Sequence, residues 1–219
     1  MAVKTNDQLM LMPNWGVPQK VRAMVTNDVE AALLPSVPRW LTQVHGPLVV
    51  NADDADESTE ADGAWTSTPG VVCAVRTADC LPVLFTDRRG SIVAASHAGW
   101  RGLVSGILDL TVQRFFELDV PPPAINVWLG PAIGPTAYEV DAAVYDMFMQ
   151  RIPDCEAAFH ATRPGHWNLD LYQAARMILA AQGVANIAGG NFCTYNDQRF
   201  YSYRRDPNCG RQATLIWIE

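Results

Sequence analysis

The chain has 219 residues, 49% of them apolar, so it can bury a large core and we expect a single domain over residues 1–219. The net charge of −7 excludes a general nucleic-acid binder, because nothing supplies the positive field that phosphates require. The odd, scattered set of five cysteines, the lack of a secretory signal and the lack of a long apolar run predict a cytoplasmic protein with no membrane partner.

The first predicted element in chain order is a surface loop over 51–62. This stretch is polar and acidic, but it lacks the Gly and the closing Glu spacing of an EF-hand loop. We therefore interpret its charges as a solvated face rather than as a calcium site.

A β-hairpin is predicted next. Two runs rich in β-branched residues, 71–85 and 91–96, flank the segment 87–90. That segment reads Asp-Arg-Arg-Gly, with Asp and Gly where a type I turn favours them. The pattern therefore predicts two antiparallel strands joined by a tight turn.

The hairpin has a consequence for two reactive side chains. If it is symmetric about the Arg88–Arg89 bond, paired positions sum to 177, which places Cys80 directly opposite His97 on one face. A bulge at Gly90 would instead send the two side chains to opposite faces. An irregularity near Pro82, which has no N–H to donate, would restore the match.

The second half of the chain mixes helices with strands. Three prolines at 121–123 end the first predicted helix, and Gly183 follows the last. Helices are predicted over 102–118, 141–150 and from Asn168 or Asp170 to Ala181, and strands over 124–129, near Ile187, over 200–203 and over 213–218. This order favours an α/β (α+β) layered sandwich with mixed sheets over a doubly wound parallel sheet.

Three side chains are candidates for the chemistry: His45, Cys80 and His97. One Cys and two His form a sensible zinc set, because three protein ligands leave a fourth position for water. The set also resembles a blue copper site, although no Met is clearly placed as an axial ligand. Without metal, either histidine would deprotonate Cys80 for attack on a carbonyl. Taken alone, a cysteine in a strand is more often a structural core residue.

Other residues are weaker candidates. Arg101, at a helix start, suits an anionic group such as phosphate or carboxylate, and equally a surface salt bridge. Asp62 and Asp79 suit the orientation of a histidine, general acid–base catalysis or an ordinary turn. We interpret Trp100 and Trp128 as core or pocket wall.

Five short blocks of the sequence form a set. They are Gln-Val-His-Gly at 43–46, Thr-Ala-Asp-Cys-Leu-Pro at 77–82, His-Ala-Gly-Trp-Arg-Gly at 97–102, Gly-Pro-Ala-Ile-Gly-Pro at 130–135 and Tyr-Ser-Tyr-Arg-Arg-Asp at 201–206. Together they resemble, in the same order, the signature blocks of the bacterial laccase-domain family. Members of that family are also called polyphenol oxidases, purine nucleoside phosphorylases or peptidoglycan editing factors.

The resemblance implies an α/β/β/α layered fold similar to that of toxin-type cysteine hydrolases. It also implies a zinc ion at the three candidate side chains. The implied metal ligands and catalytic residues are His45, Cys80 and His97, and the candidate substrate-binding residues are Gln43, Asp79 and Arg101.

The implied activity is phosphorolysis of adenosine, inosine, guanosine and methylthioadenosine to free base and sugar 1-phosphate, with adenosine deamination alongside. The partners would then be a purine nucleoside and phosphate, and we expect a monomer or weak homodimer. Three alternatives stay open. They are a copper-dependent polyphenol oxidase, a hydrolase of a cell-wall precursor that uses Cys80 as nucleophile or zinc ligand, and a binding domain without enzymatic activity.

The chain departs from the family pattern in one respect. The family usually carries a Gly-rich Thr-Arg-x-Gly-Gly-Val-Ser block and a Ser-Leu-Asn-Leu segment before its Gln-Val-His-Gly. Here residues 25–27 pass almost directly to 28–33. Because the missing loop would be expected to line the pocket, its loss puts phosphate binding and substrate choice in question.

Overall fold

The computed structural model describes residues 9–219, so part of the N-terminus on which the expectation of no secretory signal depends lies outside the described residues. Within that range there are thirteen strands in three sheets and four α-helices. The strands are β1 (Met10–Leu11), β2 (Val21–Thr26), β3 (Val49–Asn51), β4 (Gly63–Thr66), β5 (Cys73–Thr77), β6 (Leu81–Asp87), β7 (Val93–Ala98), β8 (Ile125–Leu129), β9 (Glu139–Asp141), β10 (Phe159–Arg163), β11 (His166–Leu169), β12 (Asn186–Gly189) and β13 (Gln212–Ile218). The helices are α1 (Trp100–Ser105), α2 (Ile107–Glu117), α3 (Ala142–Arg151) and α4 (Leu171–Ala181).

The largest sheet has six strands in the order β12-β8-β6-β7-β4-β3. Its central pairs are antiparallel, and its two edge pairs, β12–β8 and β3–β4, are parallel. Apolar side chains on one face, among them Phe85 and Val127, form a core with residues of α2 and α4 such as Phe115 and Ile178. This face is therefore covered by helices, as expected for a sheet with a fully apolar side.

The second sheet has four antiparallel strands in the order β1-β2-β13-β5. It packs against the other face of the six-stranded sheet through a second core, in which Val75 and Ile216 join Leu84 and Ala95. A third cluster covers its outer face, where Leu215 and its neighbours meet the irregular segment 29–40. The layered, mixed α/β architecture that the sequence predicts is confirmed.

A third sheet, in the order β10-β11-β9, is small and packs beside α3. Its β10–β11 hairpin carries His160 and His166, which the sequence placed in a polar connection. The predicted helix starts are confirmed at two aspartates, since Asp141 accepts from the N–H of Val144 and Asp170 from that of Gln173. The longest helices in the described range have 11 residues, and none is long and apolar enough to cross a membrane.

Three predicted elements differ in the structure. The run 71–85 is two strands of different sheets, because the chain bends at 78–80 where Asp79 has a φ of 86°. The helix over 102–118 is two helices, because Gly106 adopts the left-handed conformation that ends α1. Residues 200–203 form no strand, because side chains instead of a neighbouring strand hydrogen-bond to this backbone.

The hairpin is confirmed, but its register is not the one expected. The turn closes with a hydrogen bond from the N–H of Gly90 to the carbonyl of Asp87, and His97 then lies opposite Pro82, so paired positions sum to 179. The Asp87 carboxylate accepts hydrogen bonds as far along the loop as the N–H of Ile92, which lengthens it. Because the shift is two positions, Cys80 stays on the face of His97 but is a diagonal neighbour instead of a direct one.

Candidate metal centre

Three side chains from distant segments meet at one point. They are His45, from the loop before β3, Cys80, from the bend before β6, and His97, near the end of β7. One potential ligand atom of each lies within 4.8 Å of the others. Cys80 Sγ is 4.0 Å from His45 Nε2, and the two imidazole rings are 4.7 Å apart and nearly perpendicular. Within residues 9–219 this is the one such group of His, Cys or acidic side chains.

A fully buried carboxylate, that of Asp62, holds both histidines in place. It accepts hydrogen bonds from the backbone N–H groups of Val44, His45 and Gly46, at 3.0, 2.9 and 2.8 Å. These bonds hold His45 at a φ of 61°, which a non-glycine residue rarely adopts. A fourth bond, of 2.7 Å, joins the carboxylate to His97 Nδ1. His97 is thereby left with Nε2 for the centre, which is how metal-binding histidines are usually oriented.

The position of Cys80 is set by the residue before it. The Asp79 carboxylate accepts from the hydroxyl of Thr194 and the N–H of Arg204, both at 2.6 Å. Its carbonyl accepts from the N–H of Ile133 at 2.9 Å. Asp79 thus ties the bend to two other loops, and its carboxylate is committed to these structural partners.

A glycine makes room for the sulfur. A Cβ placed on Gly99 would lie 2.9 Å from Cys80 Sγ and 3.4 Å from His45 Cδ2. Its φ of −68° is open to any residue, so the space, not the backbone conformation, requires glycine here.

The electrostatics favour a thiolate beside a protonated imidazole when no cation is considered. Burial alone would raise the pKa of the Cys80 thiol, but hydrogen bonds and charge from His45 and His97 outweigh it and lower the pKa to about 6. Burial likewise opposes protonation of His97, yet Asp62 and Cys80 raise its pKa to about 9. The Asp62 pKa is lowered, because its bonds to His97 and to the backbone outweigh its burial.

The donor set fits a borderline-soft cation. A thiolate and two imidazoles are the ligands that zinc takes in sites that keep an open position. Copper also accepts them, but a multi-copper site needs more histidines. The other two of the four histidines, His160 and His166, belong to the β10–β11 hairpin and not to this group. The residues present therefore fit one ion.

Two cavities open on the centre, and His45 borders both. The Arg211 cavity, about 480 Å³, is lined by Leu41, Gln43, His45, Arg76, Thr77, Ala78, Cys80, His97, Tyr203 and Arg211. The Trp100 cavity, about 710 Å³, is lined by His45, Gly46, Trp100, Arg101, Val104, Ser105, Met147 and Arg151. Two different small molecules are thus able to approach one imidazole from different sides.

Comparison with known proteins identifies the family. The family model described as multi-copper polyphenol oxidoreductase laccase matches residues 16–219. The chain belongs to this family. A laccase-like relative from Pseudomonas aeruginosa, named a purine nucleoside phosphorylase, is 43% identical over 241 residues, covering 95% of this chain and 98% of the relative. The Escherichia coli purine nucleoside phosphorylase YfiH is 49% identical over 192 residues, covering 86% of this chain and 76% of the relative.

Solved structures of the laccase-like family share the fold. A Neisseria meningitidis protein of the DUF152 family superposes with a TM-score of 0.87 at 38% identity, covering 96% of this chain and 99% of that one. YlmD from Geobacillus stearothermophilus gives 0.82 at 28% identity, covering 96% and 100%. The alignment with the Pseudomonas aeruginosa relative is longer than this whole chain, so that relative carries internal residues with no counterpart here.

The other residues singled out in the sequence lie around the centre in different ways. Gln43 lines the Arg211 cavity, but its amide is bonded at both ends to the backbone of Arg76 in β5. Arg101 is exposed on the Trp100 cavity, with its guanidinium 4.4 Å from the Trp100 ring centre. Trp100 is thus a pocket wall. Asp62, of the alternatives considered, orients a histidine.

The arginines and aromatics of the cavity walls are missing from the sequence expectations. Arg76 immediately precedes the Thr-Ala-Asp-Cys block, and this adjacency was the one available signal. Arg211 and Tyr203 reach the same cavity from the C-terminal part of the chain, and Met147 and Arg151 reach the other from α3. Only the tertiary fold brings them there.

Proposed function

We propose that this chain is a zinc-dependent purine nucleoside phosphorylase, acting on adenosine, inosine, guanosine and methylthioadenosine, that also deaminates adenosine. The observation that carries the proposal is the junction of two cavities at His45, beside a group of two imidazoles and one thiol. A reaction between two substrates needs such a meeting point, because much of its barrier is the entropy of bringing them together. The printed names of the relatives support the substrate class.

In the proposed reaction a phosphate oxygen bonds to C1′ of the ribose as the bond from C1′ to the purine nitrogen breaks. The products are ribose 1-phosphate and a free purine that has gained a proton. We assign His45, Cys80 and His97 as the catalytic residues and the metal ligands. When bound there, zinc supplies a Lewis acid next to the reacting groups. Asp62 keeps His97 oriented, and the buried backbone around His45 excludes water from that side.

The remaining assignments follow from where the side chains lie. Gln43 and Arg101 border the cavities and would contact substrate. Asp79, whose carboxylate is bonded to Thr194 and Arg204, would act on substrate through the bend that carries Cys80. None of the five cysteines is in a disulfide, which suits a cytoplasmic location. We further propose one domain over 1–219, small-molecule partners only, and a monomer or weak homodimer.

Product analysis tests the activity. Protein purified without added metal is incubated with adenosine and phosphate, and adenine, inosine, hypoxanthine and ribose 1-phosphate are quantified by chromatography. Adenine with ribose 1-phosphate reports phosphorolysis, and inosine reports deamination. Cys80→Ala should abolish both, whereas Cys209→Ala, which removes a cysteine outside the centre, should abolish neither. Product levels no higher than those of Cys80→Ala would defeat the proposal.

Metal analysis by mass spectrometry on the same preparations tests the cofactor. We expect about one zinc per chain in the wild type and in Cys209→Ala, and loss of zinc in Cys80→Ala. The family description names copper, so oxygen consumption with a phenol is measured in parallel. Stoichiometric copper together with oxygen uptake would favour the oxidase instead. Both outcomes are read on one sample.

A second candidate is supported by the lowered pKa of Cys80, which is typical of a cysteine nucleophile. In that case the thiolate would attack the carbonyl of a cell-wall precursor and form an acyl-enzyme. Intact-mass spectrometry after brief incubation with such a precursor would detect the added acyl group. Activity that a chelator removes and zinc restores, without any acyl adduct, favours the metal-dependent reaction.

A further inference from the structure

The Arg211 cavity has an unusual charge for this protein. Two arginines, Arg76 and Arg211, line it, and no Asp or Glu is among its lining residues. The chain as a whole carries a net charge of −7. Within residues 9–219 neither guanidinium forms an ion pair with a carboxylate. Two arginines without acidic partners on one cavity point to an anionic ligand.

Arg76 is held in a suitable orientation. Its guanidinium carbon lies 3.9 Å from the centre of the Trp40 ring. Stacking occupies a face of the guanidinium and leaves the N–H groups in its plane able to donate. The backbone of Arg76 is also fixed, since its N–H and carbonyl both bond to the Gln43 amide. A prearranged fork of this kind binds a tetrahedral oxyanion with little further loss of entropy.

Arg211 is anchored by one nitrogen only. Its Nη1 donates to the carbonyls of Cys209 and Gly210, at 2.9 and 3.0 Å. The guanidinium lies 5.7 Å from the ring centre of Tyr203, another residue of the cavity wall. Its Nε and Nη2 donate to no other protein atom in the described range, so this edge is available to a ligand.

A third donor lies in the cavity wall. Thr77 is only 1% exposed, and its hydroxyl has no hydrogen-bond partner among the described residues. Gln212, its neighbour across the β5–β13 pair, likewise has an unpartnered Nε2. A buried polar group without a partner is costly, so such groups in folded proteins usually meet a water or a ligand. Thr77 belongs to the Thr-Ala-Asp-Cys block, and nothing assigned so far uses its hydroxyl.

We propose that the Arg211 cavity is a subsite for inorganic phosphate, held by Arg76 and Arg211 with the Thr77 hydroxyl as a further donor. The inference rests on the proposed phosphorylase function only in naming phosphate as the co-substrate. It leaves the Trp100 cavity, with the more apolar walls of Trp100 and Val104, for the nucleoside. The two substrates then reach His45 from separate cavities.

Isothermal titration of the zinc-containing protein with inorganic phosphate, without nucleoside, tests the subsite directly. Arg76→Gln and Arg211→Gln should each weaken binding about ten- to a hundredfold, the usual effect of losing a charge-assisted hydrogen bond. Arg76→Lys and Arg211→Lys should recover part of the affinity, since charge returns without the fork. Arg114→Gln, on the exposed surface of α2, is the matched charge control and should bind like the wild type.

Thr77→Val separates a ligand contact from a structural role. It keeps the side-chain volume but removes the hydroxyl, so phosphate affinity should fall about five- to tenfold. Folding stability should be unchanged or higher, because an unpartnered buried hydroxyl is removed. A loss of stability with unchanged phosphate affinity would assign the hydroxyl to the fold and overturn its part in the subsite.

Further arms separate this proposal from its rivals. Unchanged phosphate binding in the Arg76→Gln and Arg211→Gln double variant, or loss in Arg101→Gln instead, overturns the subsite. Binding of adenosine 5′-monophosphate but not of free phosphate shows that the oxyanion belongs to a nucleotide, which also overturns it. Phosphate binding that depends on both arginines, without ribose 1-phosphate formation, upholds the subsite while the phosphorylase proposal fails. In active enzyme, the two variants should raise KM for phosphate and leave KM for adenosine unchanged.

Discussion

Two buried aspartates lie at opposite ends of β7 and organise the backbone around them in the same manner. Asp62, beside the end of the strand, accepts three N–H groups from the loop 44–46. Asp87, beside its start, accepts three from the loop 89–92. The fourth partner differs. Asp62 binds the imidazole of His97, whereas Asp87 binds the hydroxyl of Ser91.

The difference shows what turns a structural device into a functional one. Several N–H donors keep a buried carboxylate ionised, and the pKa of both aspartates is lowered even though burial acts to raise it. At Asp87 that charge only stabilises a turn. At Asp62 the same charge orients a histidine and favours its protonation, and the loop it holds delivers His45 to the same point.

Removal of the Asp62 carboxylate should have the largest effect. Asp62→Ala leaves three backbone donors and the His97 imidazole without their acceptor in the interior. We expect the free energy of unfolding to fall by about 3–5 kcal/mol, the usual result of breaking a buried pair. Zinc affinity should fall about 10- to 100-fold, as for the loss of other groups that orient a ligand. Urea unfolding and zinc competition with a chelator measure the two; an unchanged zinc affinity would show that Asp62 does not organise the centre.

The equivalent change at the other end of the strand should affect stability alone. Asp87→Ala leaves buried N–H groups unpaired, so the free energy of unfolding should fall by about 1–3 kcal/mol. Zinc content and turnover should match the wild type, because the turn lies at the far end of β7 from the centre. A loss of zinc in this variant, measured on correctly folded protein, would contradict the separation of the two ends.

The sequence predicts the parts of this arrangement that depend on neighbouring residues. The Asp87–Gly90 turn, the Asp170 cap of α4 and the chemical suitability of the three candidate ligands are all local properties, and the turn and cap are confirmed. The register failed because the number of loop residues depends on how many N–H groups the Asp87 carboxylate accepts. That number is a property of the folded loop, and no turn rule contains it.

The long-range parts of the centre were beyond local reasoning. Asp62 stood in what read as a solvated acidic loop, yet it is 0% exposed because β4 begins at the next residue and draws it inward. The Arg211 cavity needs β13 to lie beside β5, a pairing between opposite halves of the chain. Spacing along one sequence carries no signal for either.

The pH dependence of folding should sharpen the same comparison by a smaller amount. Because the folded pKa of Asp87 is below its unfolded value of about 3.9, its contribution is present above that value and is lost as the pH falls through the folded pKa. Arg89, the one cation paired with it, stays charged throughout. The difference in unfolding free energy between wild type and Asp87→Asn should therefore shrink between pH 5 and pH 3 in urea titrations. A constant difference would mean that the carboxylate charge does not stabilise the turn.

Two glycines complete the comparison, one at each end of the strand, and the smallest stability effect is expected at the centre. Gly99→Ala keeps an allowed backbone but places a methyl group 2.9 Å from Cys80 Sγ, so stability should fall by only about 1 kcal/mol while zinc affinity falls at least about tenfold. Gly90→Ala is the matched control. Its φ of 65° and a contact of 2.7 Å with Val21 should cost more stability, since a left-handed alanine alone costs roughly 1–2 kcal/mol, yet leave zinc affinity intact. If Gly99→Ala binds zinc as the wild type does, the space around the sulfur is not what the glycine preserves.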